Sequence, residues 1–130
     1  MNLTEDEKWL MMDLTDFNKS FKELVENIHF EHLAKSASEK FAIAEKLVVS
    51  LIDKELLQLS RSKYKKDSRG VLCLLKSDVL ATSEVIHFMK HPSNWMSDHG
   101  LEDESIYFEL SPTELGEKQL DILFGISNGN

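Results

Sequence analysis

The chain has 130 residues, and its 23 acidic side chains outnumber its 15 lysines and arginines, which gives a formal net charge of −8 at pH 7. This length suits one domain that buries its own core. One cysteine excludes an internal disulfide framework, and no apolar run reaches the roughly 20 residues of a membrane span. The polar, acidic start does not resemble a secretory signal, so we expect a cytoplasmic protein.

The first 35 residues are predicted to form N-terminal helices. Thr4 and Glu7 have the spacing of a capping box, in which a hydroxyl and a carboxylate each accept a backbone N–H of the other residue. A helix should therefore begin near residue 5. Apolar residues recur at helical spacing from 17 to 28, which predicts a helix over about 16–30, either separate from the first or continuous with it.

A third helix and a strand are predicted next. Ser36 or Ser38 can cap a helix whose apolar positions repeat from 41 to 52. Leu57–Ser60 alternates apolar and polar residues, which is typical of a short strand. The following basic run, residues 61–69, is predicted to be a solvated turn. Its bases are Arg61, Lys63, Lys65, Lys66 and Arg69.

An apolar run, Val71–Leu75, fits either a buried strand or the start of a helix, because periodicity cannot separate the two over five residues. Cys73 lies within this run and is expected to be a buried thiol rather than a nucleophile. A short helix should follow from about residue 82 and end before Pro92. Residues 92–105 are mostly polar and acidic, which predicts a long loop.

The C-terminal part is predicted to contain a strand and a helix. Ile106–Leu110 alternates in character and predicts a strand. The order Ser111-Pro112-Thr113-Glu114 matches an N-cap, a proline at N1 and a glutamate at N3, so the last helix should begin there. Gly125 suits the position just after that helix, and residues 125–130 are expected to form a loose tail.

These elements predict an α+β fold: a mostly helical single domain over 1–130 with a small two- or three-stranded antiparallel sheet. Residues 1–35 would supply the N-terminal helices and residues 36–124 the helix–strand core. The apolar positions predicted to form the core are Phe21, Leu24, Ile28, Phe41, Val48, Leu51, Ile52, Ile106, Phe108, Leu110, Leu120 and Leu123.

The sequence holds no recognisable catalytic motif. His87 and His91 lie one helical turn apart, but Phe88 occupies the position where a zincin helix carries its glutamate. Cys73 has no second thiol with which to build a structural zinc site, and the five glycines form no phosphate-binding loop. We therefore expect no enzymatic activity, no metal and no cofactor.

The acidic residues are unevenly spread. Between Lys90 and Lys118 the chain carries seven acids and no lysine or arginine. Clustered carboxylates attract basic partners, and exposed aromatics such as Trp95 or Tyr64 can anchor an interface. Trp95 can equally fold back as a lid on the core. The candidate partner-binding residues are Trp95, Asp98, Glu102, Asp103, Glu104 and Glu109.

The segment YFELSPTELGE at 107–117 is similar to the element through which many winged-helix domains enter their last helix. In such a domain Phe41–Asp53 would be the helix that precedes the sheet, Leu56–Arg61 and Ile106–Leu110 its strands, and Pro112–Phe124 the closing helix. This resemblance covers under half of the chain and implies a DNA-binding regulator. A recognition helix should be basic, whereas this one has mixed charge, so DNA binding is the alternative hypothesis.

The chain's size, acidic surface and lack of a catalytic motif, together with the pattern HPSNW…YFELS from His91 to Ser111, resemble small bacterial immunity proteins of contact-dependent growth inhibition. The resemblance implies that the protein binds a cognate basic toxin, often a nuclease, and neutralises it by occluding its active site. The acidic excess disfavours nucleic acid as the main partner, because phosphate would be repelled.

Overall fold

A computed structural model describes residues 2–15, 18–95 and 104–125, with Glu104 described by its backbone alone. The described helices are α1 (Glu5–Asp13), α2 (Phe21–Glu31), α3 (Ala37–Asp53), α4 (Thr82–Lys90) and α5 (Glu114–Leu123), and a 3₁₀ turn, Pro92–Asn94, follows α4. The strands are β1 (Leu57–Lys66), β2 (Leu72–Val79) and β3 (Glu104–Pro112). The predicted fold class, a mostly helical α+β domain with a small antiparallel sheet, is confirmed. Within the described part, no helix is both long enough and apolar enough to cross a bilayer.

Capping boxes define where the first three helices begin. Thr4, Ser20 and Ser36 each accept the backbone N–H of a glutamate three residues later, and that glutamate accepts the N–H of the cap residue. The predicted cap at Thr4 is confirmed, and of the two candidates Ser36 and Ser38 it is Ser36 that caps the third helix. The second helix begins after Ser20, later than the expected start near residue 16, because Ser20 has the glutamate at the spacing that a capping box requires.

The last helix begins two residues later than predicted. β3 continues through Pro112, and Ser111 is still paired with Gln58 in the sheet, so Ser111 is not available as a cap. Thr113 takes that role, and its hydroxyl accepts the N–H of Gly116 at 3.0 Å. Gly125 follows the helix with a φ of 72°, as predicted for a glycine in this position.

The three strands have the order β2-β1-β3, and both pairs are antiparallel. The prediction of a solvated turn over 61–69 was wrong, because β1 continues to Lys66 as the central strand. The bases alternate with Ser62 and Tyr64, so the ladder continues while the long basic side chains extend toward solvent. The turn occupies residues 67–70 instead, where the Asp67 carboxylate accepts the N–H of Arg69 and of Val71.

The apolar run that starts at Val71 forms β2, one of its two predicted structures, but the strand is not buried. Every residue of β2 is exposed, Cys73 included, which corrects the expectation of a buried thiol. The reason is position: β2 is an edge strand, and β1 is the one described element with which it makes extensive contact. An apolar run therefore indicated a strand here without indicating burial.

The core lies between the helices and one face of the sheet, to which Leu57, Leu59 and Leu110 contribute. Most predicted core residues are buried, while Phe41, Ile52, Phe108 and Leu123 pack against the core at its margin. Ile106 is half-buried. Further buried side chains lie at positions that the core prediction did not include. They are Leu10, Met11, Leu14, Ala44, Leu47, Leu56, Leu57, Leu59, Val85, Phe88 and Met89.

Candidate functional site

The sheet has a second face with a different composition. Residues directly opposite each other on neighbouring strands share a face, and Ser60 lies opposite Glu109 while Ser62 lies opposite both Tyr107 and Ser77. Because faces alternate along a strand, these residues lie on the side opposite Leu59 and Leu110. We refer to this side as the polar face after its polar residues, Gln58, Ser60, Ser62, Tyr64, Ser77, Tyr107 and Glu109. The edge strand adds the apolar side chains of Leu74 and Val79, which lie opposite Tyr64 and Ser60.

Glu109 is the centre of the polar face. Its half-buried carboxylate accepts hydrogen bonds from the Tyr64 hydroxyl at 3.0 Å and from Nδ2 of Asn18 at 3.4 Å. The rings of Tyr64 and Tyr107 meet edge to face with centroids 5.5 Å apart. Both donors are neutral, so they orient the carboxylate without cancelling its charge.

The backbone of the segment before α2 brings Asn18 to this site. Lys19 forms an isolated bridge with Leu110, in which each residue donates its N–H to the carbonyl of the other, at 3.1 and 2.7 Å. The Lys19 side chain is buried, pairs with Asp13 and lies over the Trp9 ring. The position of Asn18 is therefore fixed from both sides by α1 and β3.

Tyr64 is a hydrogen-bond donor to Glu109 at neutral pH. Burial raises the pKa of its phenol above the ordinary value, and the hydrogen bond to Glu109 and the charge of that carboxylate raise it further. The protonated phenol is therefore favoured. This stabilises the pair of a charged acceptor and a neutral donor.

The structure places Trp95 as a lid on the core. Its ring lies edge-on to Phe21 with centroids 4.9 Å apart and stacks on Phe41 at 6.0 Å. Its Nε1 donates to the carbonyl of Met89 at 3.0 Å. The indole is half-buried and its polar atom is satisfied, so of the two roles considered for Trp95 the geometry fits the lid.

The other predicted acids are spread along the chain up to β3. Asp98, Glu102 and Asp103 lie outside the described residues. Glu104 begins β3, and its Cα is opposite that of Lys65 on β1. The acidic stretch and the basic run, which are far apart in the sequence, thus meet on adjacent strands.

The basic residues on β1 include a row along one face. Arg61, Lys63 and Lys65 alternate along the strand, and Arg61 lies opposite Phe108. A cleft of about 390 Å³ between the sheet and α4 is lined by Arg61, Phe108 and His87, among others. The row of bases begins beside this cleft and continues away from the core.

One group of described side chains has the chemistry of metal ligands. Oxygen atoms of Asp6 and Glu31 and a ring nitrogen of His32 lie within 4.8 Å of one another. Both acids are exposed, and three such groups fall short of the four ligands of a structural zinc site. The rings of His87 and His91 have centroids 4.2 Å apart and planes tilted by 34°, and Nδ1 of His91 donates to the His87 carbonyl. That nitrogen is therefore not available to a metal.

The sequence pattern predicted Glu109 as a site residue but not the side chains that contact it. Tyr107 was considered as part of a strand and of two family patterns but not as a site residue, Asn18 was not considered, and Tyr64 was placed in a loop. The alternation Ser60-x-Ser62-x-Tyr64 is the signal that could have extended the strand and placed Tyr64 beside β3. No family model, curated protein or solved structure matches this chain.

Proposed function

We propose that this protein is an immunity- or antitoxin-like binding protein of the cytoplasm that neutralises a basic, nuclease-type toxin by occluding its active site. The observation that carries this proposal is Glu109, an oriented carboxylate held by two neutral donors on the polar face beside two tyrosines. The proposal does not involve catalysis, a metal or a cofactor.

The chemistry of the polar face suits a lysine or arginine of a partner. A carboxylate that is already oriented loses little conformational freedom when it forms a charge-assisted hydrogen bond. Tyrosine is enriched at protein interfaces, because its ring buries apolar area while its hydroxyl bonds at the rim. Tyr64 and Tyr107 lie on β-strands, so the surface they form is rigid before binding.

The net charge supports the same partner. A charge of −8 on one small domain raises the rate of encounter with a basic protein and makes that rate depend on salt. Glu102, Asp103 and Glu104 precede β3 or begin it and, in this proposal, contribute mainly to that long-range attraction. Glu109 acts at short range and slows dissociation.

The two roles can be separated by kinetics. The partner to test is the toxin domain encoded by the neighbouring reading frame, with binding measured by surface plasmon resonance at several salt concentrations. Glu109→Gln should speed dissociation at least about tenfold, as expected for the loss of a desolvated charge-assisted bond. Glu102→Ala, Asp103→Ala and Glu104→Ala combined should slow association and flatten its salt dependence.

Glu117→Gln is the matched control, since it removes the same charge from an exposed position on α5. Its dissociation rate should equal that of the wild type. The proposal fails if the toxin domain does not bind, or if Glu109→Gln and Glu117→Gln dissociate at the same rate.

The row of bases on β1 favours a second candidate, a winged-helix DNA-binding regulator. Here Arg61, Lys63 and Lys65 would contact phosphate. The helix of the family that enters the major groove would be α3, but α3 packs against the core through Ala44 and Val48, which are fully buried. A DNA shift assay with a steep salt slope, and no toxin binding, would favour this candidate over the first.

A further inference from the structure

Strand β2 exposes an unusual amount of apolar surface. Leu74, Leu75 and Val79 are 56%, 54% and 60% exposed, and Val71 and Leu72 add further apolar area. Proteins protect an edge strand by making it short, by placing proline or a charged residue in it, by a β-bulge or by covering it. β2 has eight residues and no proline, and β1 is the one described strand that pairs with it. Its two charges, Lys76 and Asp78, have opposite signs, and its pairing with β1 is irregular near Leu75. Its outer edge is suited to receive another strand.

The backbone groups that face this edge follow from the pairing with β1. The N–H of Leu80 donates to the Leu59 carbonyl at 2.9 Å. Backbone groups alternate in direction along an antiparallel strand, so the N–H and C=O of Ser77 and Val79 point away from β1. An added strand would bond to these groups.

We propose that this edge binds the same edge of a second copy of the chain, so that the two sheets join through a two-fold β2–β2 contact. The two copies would run antiparallel with Ser77 opposite Ser77 of the partner subunit. Lys76 would then lie opposite Asp78 of the partner subunit. The pairing with β1 is irregular at Leu75, which has no partner there, so the register is specified from Lys76 to Asp78. Directly opposite charges stabilise a strand pair.

The sequence of β2 selects this register over its neighbours. A two-fold axis at Lys76 places two lysines opposite each other, and an axis at Asp78 does the same with two aspartates. Because opposite residues share a face, the axis must pass through a residue and not between two. Among these three registers, the axis at Ser77 is the one that pairs both charges, and symmetry forms the ion pair twice. Lys76 and Asp78 pair with each other within the chain at 3.6 Å but stay 71% and 50% exposed, so a second copy can reach both and exchange this pair for pairs between the subunits.

Charge exchange tests the register. Lys76→Asp alone places like charges opposite each other, and Asp78→Lys alone does the same, so each should raise the dimer dissociation constant at least about tenfold, measured by sedimentation equilibrium. Combining the two restores opposite charges and should return the dissociation constant to within about threefold of the wild type. Lys118→Asp, which alters an exposed lysine on α5, should have no effect.

A cysteine placed at the axis gives a second test. Ser77→Cys in a Cys73→Ser background should form an intermolecular disulfide under mild oxidation, because the two positions lie within bonding distance across the axis. The wild-type Cys73 should not, since two such residues would be roughly 26 Å apart along the strands. Cys73 is a well-matched control for Ser77→Cys, because both positions are exposed and lie on the same strand.

The proposal is overturned if the protein stays monomeric at all accessible concentrations. It is also overturned if the double charge exchange fails to rescue a dimer that the single changes weaken, or if the wild-type protein cross-links through Cys73 as readily as the Ser77→Cys variant does. None of these measurements requires the toxin, so failure here leaves the proposed function untouched.

Discussion

The two edges of the sheet differ in how they are covered. At the β3 edge, Lys19 bridges Leu110 through two backbone hydrogen bonds, and Leu110 is 1% exposed. At the β2 edge, every residue from Leu72 to Val79 is exposed. Both strands pair with β1 over a similar length, so the extent of pairing alone does not decide how much a strand contributes to the stability of the fold. We infer that the β3 edge carries the stability of the fold, whereas the β2 edge is available for association.

The covered edge continues into α5, and the largest effect is expected there. A Cβ added at Gly116 would lie 2.1 Å from the carbonyl oxygen of Leu56, a backbone atom that cannot move without disturbing β1. We expect Gly116→Ala to lower the free energy of unfolding by more than about 3 kcal/mol, measured by urea denaturation. Gly125→Ala is the control: nothing lies within 4 Å of its Cβ, and its positive φ should cost about 1 kcal/mol.

Matched leucine substitutions compare the two edges directly. Leu110→Ala creates a cavity in the core and should cost about 3 kcal/mol of unfolding free energy. Leu75→Ala removes the same atoms from a side chain that is 54% exposed and should cost less than about 0.5 kcal/mol for the monomer. Equal losses in dilute urea titrations would show that the two edges contribute alike.

The helices behind the covered edge contain a buried ion pair with a distinct pH dependence. Glu7 is 2% exposed and accepts from Lys54 at 2.7 Å. Burial alone would raise the pKa of this carboxyl, but hydrogen bonds from Lys54, from the Thr4 N–H and from Ser50 outweigh burial, and the pKa lies below its usual 4.5. Because Lys54 is 30% exposed, Glu7→Gln should cost about 2 kcal/mol at pH 7, the size expected for hydrogen bonds to a charged group.

The sign of the pH effect follows from that lowered pKa. The contribution of Glu7 is fully present above pH 4.5, the value for the unfolded chain, and is lost as the pH falls through the folded-state pKa. The stability difference between wild type and Glu7→Gln should therefore shrink in acid. A difference that stays constant from neutral pH into strong acid would contradict the lowered pKa.

The smallest effect is expected on the polar face. Tyr64→Phe removes the hydroxyl that donates to Glu109 and should cost about 1 kcal/mol. A double-mutant cycle with Glu109→Ala, which removes the acceptor, should give a coupling energy of similar size and so isolates this hydrogen bond from the rest of the face. Independent, additive effects would show that Tyr64 does not orient the carboxylate.

Local signals in the sequence were sufficient to predict most of the helices. The capping boxes at Thr4 and Ser36 depend on residues three apart, so no knowledge of tertiary structure was needed. The same local reasoning wrongly predicted Ser111 as the N-cap of the last helix. Ser111 pairs with Gln58, and this pairing extends β3 over a residue that would otherwise be a good cap. Helix starts next to a strand therefore depend on long-range pairing.

The strands were harder because their character depends on position in the sheet. The basic run resembled a turn, yet Ser62 within it is 2% exposed, since both neighbouring strands cover it. Val71–Leu75 was expected to be a buried strand or a helix start, and it became an exposed edge. The candidate site also depends on position in the fold. Glu109 could be predicted from its charge, whereas Asn18 comes close to it only in the folded chain.

The contact between Asn18 and Glu109 also bears on how the protein is made. These residues are 91 positions apart, so the contact cannot form until β3 has emerged from the ribosome. The hairpin of β1 and β2 needs only a short turn and can form well before that. During that interval we expect β1 to be open on the side that β3 will occupy. The nascent chain therefore exposes an additional strand edge that β3 later covers, and the emergence of β3 is the step that protects this edge from mispairing.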